Sequence, residues 1–191
     1  MSIILLLLRL PILVVHILVG LFTILFFPKE PKNFKSLHYR IMMLWMNILS
    51  SILGIKVDIR GIPDQSANLF VSNHVTYLDI IIINKLLPVN FIAKEEISSW
   101  PVIGRLASKT GTLFIKRGDN VESSKMIYEM EERFKLQNKI VFFPEGKIGN
   151  GKRVRKFHYK LFKSIENKEL YIQPIAIRYP TGYPINNNYS E

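Results

Sequence analysis

The chain has 191 residues with 48% hydrophobic content, enough for one domain with a substantial core and too little for two. It contains no cysteine, which excludes disulfides, thiolate nucleophiles and cysteine-ligated zinc together. A formal charge of +11 makes polyanions or anionic surfaces the expected partners, and both nucleic acid and phospholipid headgroups qualify.

The amino terminus separates those two. Residues 3–27 are an apolar run interrupted only by Arg9, Pro11 and His16, and a soluble nucleic-acid binder has no use for it. The run exceeds the apolar core of a secretory signal, about 7 to 15 residues, and no small-residue cleavage site follows, so it is expected to be retained. As one helix it would extend about 38 Å, whereas a helix starting at Pro11 only just reaches across a hydrocarbon core of about 30 Å. Lys29, Lys32, Lys35, His38 and Arg40, with Pro28 and Pro31, make a basic linker that the positive-inside tendency places in the cytoplasm. Residues 41–53 are a shorter apolar stretch carrying Asn47, Ser50 and Ser51, which predicts an interfacial or half-inserted helix. The expected organisation is a membrane-associated helical segment over residues 1–54, spanning the bilayer or embedded in one leaflet, followed by a folded domain over residues 55–191.

Beyond Gly54 the apolar runs shorten and turns punctuate them. The pattern predicts strands at residues 55–59, 69–72, 90–93, 113–115, 140–143 and 171–177. Helices are predicted at residues 80–87, at 101–109 with Pro101 in the first turn and Gly111 as the stop, and at 122–137. In the last of these Met126, Ile127, Met130 and Phe134 recur at helical spacing and belong to the core. Alternating strands and helices predict an α/β fold, a single domain with a mixed sheet, and chemistry at strand ends and in the loops after them.

His74 and Asp79 are the first chemical clue. A histidine oriented by a carboxylate is a base able to take a proton from a hydroxyl near neutral pH. On a continuous helix positions five apart do not share a face, so the chain must change structure between them. Asn73 is a good helix-starting residue, which would put His74 on a strand-to-helix turn at the edge of a sheet. Alone the pair decides little, because a histidine near an aspartate in a turn is more often a cap or a surface pair.

Three more segments bear on chemistry. Phe143, Pro144, Glu145 and Gly146 close one strand with a rigid proline, an acid and a glycine that lets backbone approach a ligand. Lys116 and Arg117 close another, as a phosphate-binding edge would. Pro174 cannot donate to a ladder and marks a sheet edge or a bulge.

With these four segments in this order, the chain resembles the 1-acyl-glycerol-3-phosphate acyltransferase family from about residue 69 to 177. Asn73-His74 to Asp79 is similar to its first motif and Gly111 to Arg117 to its second. Phe143-Pro144-Glu145-Gly146 is similar to its third, and Gln173-Pro174-Ile175 to its fourth. The resemblance implies that His74 deprotonates the hydroxyl of a lysolipid, whose oxygen attacks an acyl thioester, while Asp79 holds the imidazole tautomer. It implies no acyl-enzyme, no metal and no cofactor beyond the donor, acyl carrier protein or coenzyme A thioester. Lys94 and Arg117 become candidates for the acceptor phosphate, against the plainer reading of surface cations on a basic protein. Glu145 and Gly146 would line the acceptor site, with Glu145 bonding glycerol oxygens or neighbouring cations. Asn73, Pro144 and Pro174 would shape the motifs.

Two departures bear on the substrate and on the end of the chain. The family commonly follows its third motif with Thr or Ser and often Arg, where this chain has Lys147 and Ile148 and then a glycine-containing turn, Val154 and Phe157. Bacterial members that include lyso-ornithine lipid acyltransferases resemble this variant better. The family also continues for several tens of residues past its fourth motif, so the final strand and helix are expected to be missing here. The cations between Lys147 and Lys163 fit a strip facing anionic lipid and a solvated helix face equally.

The leading expectation is a bacterial inner-membrane enzyme with its catalytic domain on the cytoplasmic face, acylating the 2-hydroxyl of lysophosphatidic acid to give phosphatidic acid. The same chemistry on a lyso-ornithine lipid, an acceptor without phosphate, is its nearest rival. A non-catalytic membrane lipid-binding protein is the rival from another class. Nucleic acid is not expected as a partner, since no aromatic-basic module of the familiar kinds is present.

Overall fold

The computed structural model describes residues 3–27, 35–116, 120–149, 154–166 and 168–180. The amino-terminal run forms helix α1, Ile3–Thr23, which continues as a 3-10 turn over Ile24–Phe26. α1 passes through Pro11 instead of starting there. Proline's φ suits a helix, and the missing N–H removes one bond that the rest of a long apolar helix can do without. Over Leu7–Phe26 the helix is long and apolar enough to cross a membrane by length and composition, and most of that window is exposed.

α2, Leu37–Ile52, folds back against α1 and packs along α3, Leu78–Leu86. Between α1 and α2 the rings of His16 and Trp45 stack at 4.5 Å, and Trp45 Nε1 donates to the His16 carbonyl at 3.3 Å. Gly20 permits this approach, since a Cβ there would lie 2.8 Å from the Trp45 ring. Tyr39 carries α2 into the rest of the fold. It is fully buried, and its hydroxyl donates to Asn90 Oδ1 at 2.7 Å. His38 is buried as well, against Phe27 and Tyr39, and burial lowers its pKa from the ordinary value. It lies in α2 and not in a linker, contrary to expectation, and desolvation disfavours its charged ring. Lys29 and Lys32 of that linker lie outside the described residues.

The remaining elements alternate. They are β1, Ala67–Ser72; α3; β2, Val89–Lys94; α4, Ile103–Lys109; β3, Leu113–Ile115; α5, Asn120–Lys135; β4, Lys139–Phe142; and β5, Tyr171–Ile175. Their strands form one sheet in the order β3-β2-β4-β1-β5. Every pairing is parallel, so the expected mixed sheet is corrected to a parallel one. The cause is that helical segments occupy the connections, each returning the chain to the end of the sheet it started from. β5 is an edge strand, the position predicted for Pro174, which lies opposite Val71; the register shift between the two strands falls earlier, between Ala67 and Leu69. Gly111, at φ +89°, follows α4 as its stop.

No strand forms over residues 55–59. Their alternating apolar pattern has no ladder to join, because β5 holds the outer side of β1. Gln173 instead fastens the following segment, its Oε1 accepting from Asp64 N at 2.8 Å and its Nε2 donating to the Ile62 carbonyl at 3.2 Å.

Alternate residues of the central strands supply two cores. Leu69, Ile140 and Phe142 meet Met126, Met130 and Phe134 of α5, as the helical spacing predicts. Phe70, Phe91 and Val141 meet Ile83 of α3 on the opposite face. A parallel sheet covered on both faces exposes its chemistry at the carboxyl ends of its strands.

Candidate active site

β1 ends at Ser72, and α3 starts only at Leu78, so His74 lies in an irregular loop while Asp79 lies in the first helical turn. Asn73 does not start the helix. Thr76 opens it, its Oγ1 accepting from Leu78 N at 3.0 Å, because a threonine two residues ahead can replace the missing backbone acceptor. This change of structure lets side chains five positions apart converge, with His74 Nδ1 2.8 Å from Asp79 Oδ2. The same oxygen accepts from Val75 N at 2.6 Å and Thr76 N at 3.0 Å. Asp79 has no solvent exposure, so these donors, together with the positive end of α3, replace water around its charge.

With Nδ1 committed to the carboxylate, Nε2 is the ring nitrogen left for a substrate, and it has no hydrogen-bond partner among the described residues. The imidazole stacks on Phe143 with ring centroids 4.0 Å apart and planes 11° from parallel. Phe143 leads from β4 into the turn that holds Pro144, Glu145 and Gly146. Gly146 takes φ +71°, a left-handed conformation that a side chain would strain, and its N–H closes the turn on the Phe143 carbonyl at 2.9 Å. Three residues on, Gly149 N donates to the His74 carbonyl at 2.7 Å and joins this loop to the base.

A pocket of about 980 Å³ opens beside the pair. Glu145 and Gly146 line it, and so do Lys116, Lys147, Arg155 and Lys156, which give it a positive wall. His74 is not among its lining residues; Phe143, on which the imidazole stacks, is. Glu145 is buried, with Oε2 accepting from Arg155 N at 2.9 Å, so this carboxylate also anchors the chain that roofs the pocket. Pro144 does the same through its carbonyl, which accepts from His158 N at 2.8 Å.

The other expected site residues are less central. Lys94 ends β2 on the surface and does not line the pocket. Arg117 lies outside the described residues, and the described cation of its segment is Lys116. Asn73 faces the chain just past β5, its Nδ2 donating to the Ile177 carbonyl at 2.9 Å and its Oδ1 accepting from Ile177 N at 2.8 Å.

Sequence reasoning missed Tyr179, whose hydroxyl donates to Asp79 Oδ1 at 2.7 Å. Its distance along the chain hides it, and only its place shortly after the fourth motif hinted at a role. Lys116 was read with Arg117 as a phosphate-binding edge, whereas Arg155, within the basic strip, was visible as a charge but not as a pocket residue.

A protein-family model described as acyltransferase matches residues 55–178. Among curated proteins, the chain is 35% identical over 143 residues to the lyso-ornithine lipid O-acyltransferase of Pseudomonas aeruginosa, covering 75% of this chain and 55% of that protein. It is 36% identical over 136 residues to the protein of the same name from Rhodobacter capsulatus, covering 69% of this chain and 49% of that one. It is 31% identical over 147 residues to the 1-acyl-sn-glycerol-3-phosphate acyltransferase of Neisseria gonorrhoeae, covering 76% and 57%. The chain thus spans about half the length of the curated relatives it matches. No solved structure matches it at a significant level.

Proposed function

This chain belongs to the acyltransferase family, and we propose on that premise that it moves a fatty acyl group from a thioester to the free hydroxyl of a lysolipid. The observation that carries the reading is the buried Asp79 carboxylate 2.8 Å from His74 Nδ1. Nε2 takes the proton of the acceptor hydroxyl as its oxygen attacks the thioester carbonyl, and the imidazolium returns that proton to the departing thiolate. Asp79 keeps Nδ1 protonated and steadies the cationic ring between those two transfers. The substrate supplies the nucleophile, so no covalent enzyme intermediate is required. The donor in this reading is acyl carrier protein or coenzyme A thioester, and α1 attaches the enzyme to the bilayer that holds the acceptor.

The lyso-ornithine lipid is the first acceptor proposed, since the two relatives carrying that name are the more similar of those described and Lys147-Ile148 replaces the usual third-motif ending. Lysophosphatidic acid is the second, supported by the positive pocket wall, which suits a phosphate of nearly two charges. Purified protein incubated with labelled acyl donor and each acceptor separates the two by relative kcat/KM. Vesicle binding with no transfer from either donor refutes the enzyme and leaves a lipid-binding protein.

A further inference from the structure

We propose that Tyr179 is a positioning residue for the His74–Asp79 pair, its hydroxyl fixing the rotation of the Asp79 carboxylate and withholding part of its charge from the imidazole. The inference rests on the acyl-transfer reading of that pair. Oδ2 of Asp79 serves His74 and two backbone N–H groups, whereas Oδ1 receives the Tyr179 hydroxyl. Without that donor one lone-pair face of a fully buried carboxylate would lose its partner.

Counting hydrogens gives the direction of a small relay. Tyr179 has one hydroxyl hydrogen, and Asp79 Oδ1 takes it. The contact of 3.0 Å between Thr76 Oγ1 and the Tyr179 oxygen must then be donated by Thr76. Thr76 in turn accepts from Leu78 N at the start of α3. The chain of donors therefore runs from Leu78 N–H through Thr76 and Tyr179 to Asp79, and each member polarises the next. Two separate stretches of sequence meet in it, and the Asn73–Ile177 bonds hold them in register.

A carboxylate shared in this way orients the imidazole without drawing a proton onto it as strongly as an unshared one would. The titratable groups around the ring are Asp79 and Tyr77 on its own side and Tyr179 from beyond β5. On the β4 side Phe143 covers the ring, and Glu145 turns to Arg155 N.

The test follows His74 itself by NMR in the full chain in detergent micelles, its signal among the four histidines identified by its loss in His74→Gln. Tyr179→Phe keeps the ring and removes the donor. The expected result is a His74 titration midpoint displaced upward. It comes with kcat reduced about tenfold, KM for both substrates little changed, and no further shift when the change is added to Asp79→Asn. Thr76→Val leaves the Tyr179 hydroxyl in place but unsupported, and moves the midpoint the same way by less. A merely structural tyrosine lowers activity or thermal stability and leaves the midpoint alone. An unmoved midpoint in both variants overturns the proposal, even in protein with full acyl transfer. A raised midpoint in protein that transfers no acyl group upholds Tyr179 and overturns the acyltransferase reading.

Discussion

Asn73 and Ile177 exchange two hydrogen bonds, the side-chain amide of one standing in for the backbone edge that the other would meet in a sheet. β1 has already ended at Ser72, so this amide extends the β1–β5 pairing one step further without a strand. It brings the chain past β5 alongside the loop of His74.

Asn73→Ala removes both bonds and is expected to lower stability by about 1–2 kcal/mol. Asn73→Asp keeps an acceptor for Ile177 N but faces the Ile177 carbonyl with an oxygen, and should recover little of the loss. Chemical denaturation of the three proteins checks this order. Activity should fall more than stability accounts for, because the partner of Asp79 arrives on the same segment.

His74→Ala is expected to reduce acyl transfer by about 10²- to 10⁴-fold while leaving the fold intact, since the base acts in the transition state. Asp79→Asn should reduce turnover and stability together. In the place of Oδ2 its amide nitrogen would point donors at the Val75 and Thr76 N–H groups and at the imidazole, and in the place of Oδ1 it would face the Tyr179 hydroxyl that now donates there. Steady-state kinetics beside thermal unfolding separate the two patterns, and a normal rate in His74→Ala removes the mechanism.

Burial pushes the Tyr39 phenol up to about 12, against an ordinary value of 10. Folding therefore favours the protonated phenol. The resulting stability is complete below pH 10 and is lost as pH rises through about 12, with a size on the order of 2 kcal/mol. Tyr39→Phe should be less stable than the wild type at neutral pH, leaving Asn90 Oδ1 without this donor, and the gap should narrow between pH 10 and 12. A gap that stays constant over that window contradicts the assignment.

Two truncations distinguish anchoring from folding. Removing residues 1–35 deletes α1 and keeps Tyr39 in place, so the protein should stay folded and no longer sediment with vesicles. Removing residues 1–53 also deletes α2 and uncovers the α3 face, and this protein should aggregate. Equal behaviour of both truncations in sedimentation and circular dichroism would show that α2 adds nothing to the domain.

Glu145→Gln keeps an oxygen for Arg155 N and should be tolerated, whereas Glu145→Ala frees the roof of the pocket. The expected effect is a rise of about tenfold in acceptor KM for Glu145→Ala with donor KM unchanged. A larger loss in Glu145→Gln than in Glu145→Ala would mean that the negative charge itself meets the substrate.

What was legible in the sequence was local. The apolar runs located β1 to β5 within a residue or two, the spacing of Met126, Met130 and Phe134 identified the buried face of α5, and the His74–Asp79 spacing demanded the bend that β1 and α3 supply. Strand direction was not legible, because a run of Ile and Val reads alike in either sense and only the crossovers decide it. Residues 55–59 misled because alternation describes a strand without saying whether a free edge exists. Tyr179 and Asp79 are 100 positions apart, and Asn73 and Ile177 are 104 apart. Such pairings follow from topology and carry no periodic signal of their own. Glu145 was expected to face substrate, and its bond to a backbone N–H ten residues away could not be read from residue type.

The attachment of Tyr39 to Asn90, 51 positions away, and to Asn138, 99 positions away, imposes an order of events during synthesis. α1 and α2 leave the ribosome long before the strands that receive Tyr39 exist. At about 5–20 residues per second, roughly 5–20 seconds pass before the last partner is made. Throughout that interval the face of α2 that packs along α3 has no protein to cover it, so lipid or a chaperone must hold it until the rest of the domain closes beneath.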